Sequence, residues 1–265
     1  RIEALQCTDH VDGAASEPCI ADRLLLRERD VANRIDDSVV RRMDGKISVL
    51  RRARGRAPAP IRLPAGFERS RDLLAMGAEL KNTFCLLQDG QAIVSQHMGD
   101  LEDARTFEDY LHNQQLYAGL FQHQPTAICV DAHPEYLSTK QGHQWSEERG
   151  LPLLEVQHHH AHIAACMADN GLPLQHDKVL GIALDGLGYG DEGSIWGGEF
   201  LLADYQTSQR VGHLRAYPML GGAQAMREPW RNTYAQLIGC FEWPALLSEF
   251  GDLPIVRFLQ QKPLA

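Results

Sequence analysis

Short apolar runs divided by glycine-containing turns, with longer stretches of helical spacing between them, set the organisation of this chain. Ser38 to Arg41 and Lys46 to Arg51 flank Asp44-Gly45, a turn pair that predicts a hairpin. Asp72 to Leu87 reads as a strand pair turned around Glu79 to Asn82, and a second turn at Gln88-Asp89-Gly90-Gln91 leads into a strand over Ala92 to Gln96. Leu101 to Gln122 has helical spacing, with Leu101, Phe107, Leu111 and Leu116 on its apolar side. A buried strand over Thr126 to Asp131, a helix over Leu137 to Arg149 and a strand over Leu153 to Val156 then predict a parallel strand-helix-strand unit, hence an α/β fold. Asp131, at the carboxyl end of its strand, is placed either to meet a ligand or to cap a helix.

Past that unit, Ala161 to Asn170 is a helix closed by Gly171. Val179 to Asp185 and Ile195 to Ala203 predict a second hairpin, followed by a strand over Arg210 to Ala216. A helix starts around Pro229, with Arg227 and Arg231 on one face, suited to an anionic partner or to an ion-paired surface. Pro244, Pro254 and Pro263 break up the pattern after Phe241.

Residues 51–65 interrupt the regular pattern. Arg51 to Pro64 holds five arginines and three prolines, a composition that excludes a helix or central strand and predicts an extended linker. The linker divides a first unit, residues 1–50, from a second, 66–265. Net charge follows the same division: residues 1–64 carry 13 basic and 10 acidic side chains, or +3, leaving −12 of the total −9 for the rest. An acidic main body disfavours nucleic acid as the partner. No apolar run approaches the ~18 residues of a membrane span, and the start, Arg1-Ile2-Glu3-Ala4, has neither an initiator Met nor a signal-peptide core. The expectation is a cytoplasmic protein cut from something longer. Six scattered cysteines without a C-x-x-C pair predict mostly reduced, buried thiols.

Candidate chemistry concentrates at Gln157-His158-His159-His160-Ala161-His162, where four of the twelve histidines fall in five positions. On the first turns of a helix, His158 and His162 lie four residues apart on one face, within reach of one ion. Asp185, ending the apolar run Val179 to Leu184, is the expected carboxylate partner. Two imidazoles and one carboxylate suit zinc or iron and leave positions open for substrate. Gly186, Gly188 and Gly190 are expected to form a turn whose N–H groups face a phosphate.

Three motifs together resemble the HypF family of carbamoyltransferases, which mature nickel–iron hydrogenases: Val156 to Ile163, Ala183 to Gly193, and Trp196-Gly197-Gly198-Glu199-Phe200. The resemblance covers nearly the whole chain. It implies that residues 1–50, through Asp36-Asp37-Ser38-Val39-Val40, are the end of a YrdC-like domain, which in the family makes carbamoyl adenylate from ATP. It implies that 66–265 are the first part of an actin-like, sugar-kinase-like domain, with Lys81 and Asn82 as contacts for a nucleotide or carbamoyl group. The implied reaction moves a carbamoyl group, derived from carbamoyl phosphate and ATP, from the adenylate to the carboxyl-terminal cysteine thiol of a HypE-like acceptor protein. No nucleophile is required from this chain. In the family a further metal carboxylate and a glycine-rich adenosine site complete the centre, and both fall outside these residues, so weak metal binding and little transfer are expected of this chain alone. Two other readings stand beside it: a carbamoyl or threonylcarbamoyl transferase with another acceptor, and an actin-like ATP-binding phosphotransferase.

Overall fold

The computed structural model describes residues 2–6, 23–27, 33–191, 193–254 and 256–257. The chain divides into two compact units, Arg1–Lys178 with Tyr189–Ser194, and Val179–Gly188 with Ile195–Ala265.

In the first unit, β1 (Ile2–Gln6) and β2 (Arg23–Arg27) form an antiparallel pair. β3 (Val39–Met43) and β4 (Lys46–Arg51) form the hairpin that Asp44-Gly45 predicts. Both turn residues have positive φ, 47° and 78°, as a two-residue turn matched to strand twist demands. A six-stranded sheet follows, built from β5 (Ile61–Arg62), β6 (Leu73–Ala75), β7 (Cys85–Gln88), β8 (Gln91–Val94), β9 (Ala127–Asp131) and β10 (Leu153–Val156), in the order β10-β9-β6-β7-β8-β5. β6, β9 and β10 are parallel, and β5, β7 and β8 extend the sheet antiparallel. The parallel strands are linked through α1 (Ala104–Phe121) and α2 (Leu137–Arg149), and α3 (His158–Asp169) leaves the end of β10. The arginine- and proline-rich stretch is drawn partly into this sheet: Ala53 is fully buried, and Ile61 and Arg62 pair with Ala92 and Gln91. An edge strand tolerates the neighbouring prolines because only one side of it is hydrogen-bonded.

The core packs Leu74, Phe84, Leu86, Ile93, Ile128 and Val130 of the sheet and its loops against Tyr110 and Tyr117 of α1 and Trp145 of α2. The inward face of α1 matches the expected one in part, since Phe107 and Leu111 pack against the core. Leu101 is buried but precedes the helix, which starts after Asp103, whose carboxylate accepts from the Thr106 N–H at 2.8 Å; Leu116 is 40% exposed. Tyr110, Asn113, Gln114 and Tyr117 point inward beside Phe107 and Leu111. These polar groups are tolerated because most of their hydrogen-bonding capacity is met internally. The Tyr117 hydroxyl donates to Gln96 Oε1 at 2.7 Å, Gln96 Nε2 to Asn113 Oδ1 at 2.7 Å, and Tyr110 to the Met76 carbonyl at 2.9 Å.

In the second unit, β11 (Val179–Tyr189), β12 (Ile195–Ala203) and β13 (Ser208–His213) form a sheet in sequence order. The expected end of the first strand at Asp185 is corrected: β11 continues through Gly186, Leu187 and Gly188 to Tyr189. Glycines read as turn signals in isolation, but the ladder to β12 holds them extended, and the reversal comes later, where the Gly190 N–H donates to the Ser194 carbonyl at 2.8 Å. Glu199 of the Trp196–Phe200 motif is buried and takes the Arg210 guanidinium at 2.6 Å, and that guanidinium lies 4.3 Å from the centre of the Trp196 ring. The expected shared face of Arg227 and Arg231 does not form, because Glu228-Pro229 separates α4 (Gln224–Arg227) from α5 (Trp230–Cys240). Arg231 is ion-paired to Glu228 at 2.5 Å. Past Phe241 the prolines do not abolish helix: Pro244 sits in the first turn of α6 (Trp243–Phe250), where its missing N–H costs nothing.

Among the described residues no helix is long and apolar enough to cross a membrane, and Cys85, Cys129, Cys166 and Cys240 are free thiols. The expectation of burial is corrected for Cys166 and Cys240, which are exposed on helical surfaces.

Two expectations follow from how α2 seats on the sheet. A Cβ at Gly142 would stand 2.2 Å from Val130 Cγ1 and 3.2 Å from Met76 Cγ, so Gly142→Ala is expected to destabilise by about 1–3 kcal/mol despite its better helix propensity. Thermal melting checks this, and an unchanged Tm contradicts it. Glu79, buried in the β6–β7 connection, accepts from the Leu137 N–H at 2.7 Å. Burial raises its carboxyl above the ordinary value and nearby Glu102 and Asp100 add to this, while the N–H groups of Leu137 and Ser138 oppose it. The folded state therefore keeps a proton that the unfolded chain has already released, and this group's contribution to stability falls as pH rises from the unfolded value through the folded one. Glu79→Gln is expected to melt at or above the parent at pH 7, with the difference closing as pH drops below the usual glutamate range.

Candidate metal centre

β10 ends at Val156 and passes into α3 through Gln157, whose backbone is extended at φ −65°, ψ 128°. Gln157 is an N-cap: its Oε1 accepts from the His160 N–H at 3.0 Å. Its Nε2 lies 3.1 Å from His159 Nδ1 and donates to the Tyr189 carbonyl at 3.1 Å. The cap fixes the phase of the helix, and the phase sorts the four histidines. His159 turns fully inward, whereas His158 and His162 share the face at the carboxyl ends of the parallel strands.

His158 Nε2 and His162 Nε2 stand 3.1 Å apart, with the two rings at 89°. Two imidazoles on one tetrahedral zinc at about 2.0–2.1 Å would place their nitrogens about 3.3 Å apart. The pair therefore fits a single ion with little rearrangement.

Behind this pair lies a contact that spacing along the chain does not reveal. Asp131 Oδ2 is 2.7 Å from His158 Nδ1, with the two side chains 8% and 19% exposed. Asp131 Oδ1 accepts from the His133 N–H at 2.8 Å, and its carbonyl accepts from Thr139 Oγ1 at 2.9 Å. Asp131 is therefore not the cap of α2, whose N-cap is Tyr136; its carboxylate holds the turn after β9 and meets His158. The usable signal was topological: two adjacent parallel strands end at Asp131 and Val156, so whatever follows Val156 emerges beside Asp131.

A cavity of about 310 Å³ opens onto His158, His162 and Asp131, walled by Ala75, Gly77, Ala78 and Cys129. Its small walls come from the end of β6, the loop after it and β9. Gly77 has φ 74°, and a Cβ there would stand 2.2 Å from the Thr83 carbonyl oxygen, so the wall requires glycine. Burial raises the Cys129 thiol above its ordinary range, which keeps it protonated.

The other expected site residues are placed as follows. Lys81 is exposed on the β6–β7 connection, with φ 52°. Asn82, next to it, is buried and closes that connection: its Nδ2 donates to the carbonyls of Met76 and Ala78, and its N–H donates to Gly99 at 2.8 Å. Asp185, Gly186 and Gly188 lie on β11 in the second unit, while Gly190 lies in the turn that belongs to the first. The expected Gly186–Gly190 turn is therefore corrected to a strand followed by a turn, with the Gly190 N–H engaged inside that turn. Beside the centre, His133 stacks on Tyr136 at 4.0 Å and lies 5.0 Å from the Tyr189 ring.

Two family models match this chain, one described as the HypF Kae1-like domain over residues 68–169, the other as the carbamoyltransferase Kae1-like domain, second subdomain, over 181–260. The chain is 46% identical over 217 residues to the carbamoyltransferase HypF of Rhodobacter capsulatus, covering 82% of this chain and 29% of that protein. It is 43% identical over 246 residues to the carbamoyltransferase HypF of Synechocystis, covering 93% and 30%. The crystal structure of full-length HypF in the phosphate- and nucleotide-bound form is similar with a TM-score of 0.75 at 38% identity, over 92% of this chain and 31% of that one. The crystal structure of T.kodakarensis HypF gives 0.77 at 36% identity, over the same shares. The chain thus spans about three tenths of the length of these relatives. Matched by these models over residues 68–169 and 181–260, and α/β in architecture, this chain belongs to the HypF family and has its Kae1-like, actin-like fold.

Proposed function

We propose that this chain carries the metal-assisted carbamoyl-transfer centre of a HypF carbamoyltransferase, with His158, His162 and Asp185 holding a divalent zinc or iron ion. The observation that carries the reading is the pair of Nε2 atoms 3.1 Å apart at the mouth of a small cavity, in a chain that belongs to a family named for carbamoyl transfer. A bare imidazole pair binds loosely, and Asp185 supplies the anionic oxygen that a two-histidine, one-carboxylate set needs. When bound, the ion supplies a Lewis acid that polarises a carbamoyl or phosphate oxygen.

The residues of this chain bind, orient and exclude water. The donor is carbamoyl adenylate, made in the full protein from carbamoyl phosphate and ATP, and the acceptor is the carboxyl-terminal cysteine of a HypE-like partner in the cytoplasm. The acceptor thiolate attacks the carbamoyl carbon, a C–S bond forms, the C–O bond to the adenylate phosphate breaks and AMP leaves with the electron pair. The acceptor sulfur is the nucleophile, so no covalent intermediate on this chain is needed. The small side chains of Ala75, Gly77 and Ala78 leave room for the carbamoyl group beside the histidines. Lys81, on the exposed rim, suits a phosphate as an ammonium point charge, and Asn82 supports it by holding the connection closed.

Two outcomes test this reading. In the full-length enzyme, replacing both His158 and His162 with Ala is expected to remove bound metal, measured by elemental analysis, and to lower carbamoyl transfer to a HypE acceptor by at least about 100-fold, with Asp185→Ala falling between parent and double variant. A double variant that keeps metal and turnover excludes the centre, and a phosphotransferase of the same fold would be indifferent to it. The 265-residue chain by itself is expected to bind metal weakly and to show little transfer. Turnover comparable to that of the full-length enzyme refutes this.

A further inference from the structure

The proposed reaction assigns no part to Asp131, yet its carboxylate is among the most tightly held side chains near the site. We infer that Asp131 is a positioning residue that fixes the tautomer and tilt of His158 so that the Nε2 lone pair faces the cavity. The inference deepens the proposed metal centre and rests on that reading for its consequence, though not for its geometry.

Register comes first. Asp131 pairs with Val156 across β9 and β10, so α3 leaves β10 beside the Asp131 carboxylate and His158 is the second residue past the pair. The carboxylate is pinned from behind, since Oδ1 takes the His133 N–H at 2.8 Å and the residue's own carbonyl takes Thr139 Oγ1 at 2.9 Å. Oδ2 is left aimed at His158 Nδ1, 2.7 Å away. An ionised carboxylate only accepts, so the contact is made when Nδ1 carries the proton. The lone pair of the neutral ring is then on Nε2, the atom 3.1 Å from His162 Nε2 and on the cavity side. Holding the turn requires only Oδ1 and the main-chain carbonyl, and Oδ2 serves the ring.

That division of labour between the two oxygens makes Asp131→Asn informative. The His133 N–H needs an acceptor, so the amide oxygen takes the Oδ1 position and the NH₂ group faces His158 Nδ1. A donor there favours the opposite tautomer, with the proton on Nε2 and no lone pair toward the cavity. Asp131→Ala removes both contacts and leaves the ring free to choose. A merely structural role predicts that Ala is the worse substitution, because Asn keeps the turn. The positioning role predicts that Asn is the worse one for metal.

The experiment uses the full-length enzyme labelled with ¹⁵N-histidine and stripped of metal, with the His158 signals identified by their loss in His158→Gln. Expected in the parent is a protonated Nδ1 and an unprotonated Nε2 at His158. In Asp131→Asn the pattern inverts, and Zn²⁺ binding, measured by competition with a chromogenic chelator, weakens by about 10- to 100-fold, more than in Asp131→Ala. A parent His158 with its proton on Nε2 overturns the inference without any variant, which covers the case in which the substitutions fail to fold. So does an Asn variant with the parental pattern and parental Zn²⁺ affinity. If the parent binds no Zn²⁺ while its His158 pattern is as expected, the metal reading fails and the ring assignment stands.

Discussion

The site of the first unit depends on one parallel register. β9 and β10 run side by side with Asp131 opposite Val156, and the chain reverses direction out of both at the same level of the sheet. A ligand crevice at the carboxyl ends of parallel strands is a consequence of that arrangement, because loops and helix starts from neighbouring strands converge there. A slip of one residue in β10 would invert its side chains relative to the sheet and carry the start of α3 away from Asp131. The histidines therefore owe their position less to their own helix than to the strand pairing beneath it.

That pairing is held by packing of two kinds. Ile128 and Val130 are buried between the sheet and its helices, and Gly142 lets α2 approach β9 closely enough to cover them. On the α1 side the cover includes polar groups, and a chain of hydrogen bonds from Tyr117 through Gln96 to Asn113 lets them sit in the interior. Each such bond adds only about 0.5–1.5 kcal/mol net, but an unmatched partner would cost more than that, so the network specifies one seating of α1 rather than adding much stability. Glu79 gives a similar link to α2, carrying a carboxylate from the β6–β7 connection to the start of that helix. The loop that walls the cavity is thereby tied to the same helix that covers β9.

Much of this was legible along the chain. The limits of α2 and β10, the two two-residue hairpin turns and the helical face shared by His158 and His162 follow from local patterning, where period, caps and turn residues agree. The illegible parts depend on partners distant in sequence. Asp131 and His158 are 27 residues apart, and only the parallel topology joins them. The inward face of α1 was legible at Phe107 and Leu111 but not at Asn113 and Gln114, which count as surface residues until Gln96 and Met76 are brought opposite them. The glycines after Asp185 suggest a turn because glycine is rarely favoured in a strand, and only their neighbour strand shows that the ladder runs on. Glu199 belongs to a motif that carries family resemblance, yet its immediate work is a buried ion pair with Arg210.

Charge explains why the proposed centre pairs carboxylates with these histidines. The start of α3 presents backbone N–H groups and the positive end of the helix dipole, a poor neighbour for a dication. Neutral imidazoles donate electron pairs but bring no negative charge, so two of them on the first turns cannot offset that field alone. Asp131 brings a nearly buried negative charge within 2.7 Å of the His158 ring, where screening by water is weak. A carboxylate at that ring nitrogen makes an imidazole a stronger electron-pair donor through its other nitrogen. In the proposed centre Asp131 would add negative charge without taking a position on the ion, in contrast to Asp185, which is proposed to ligate it.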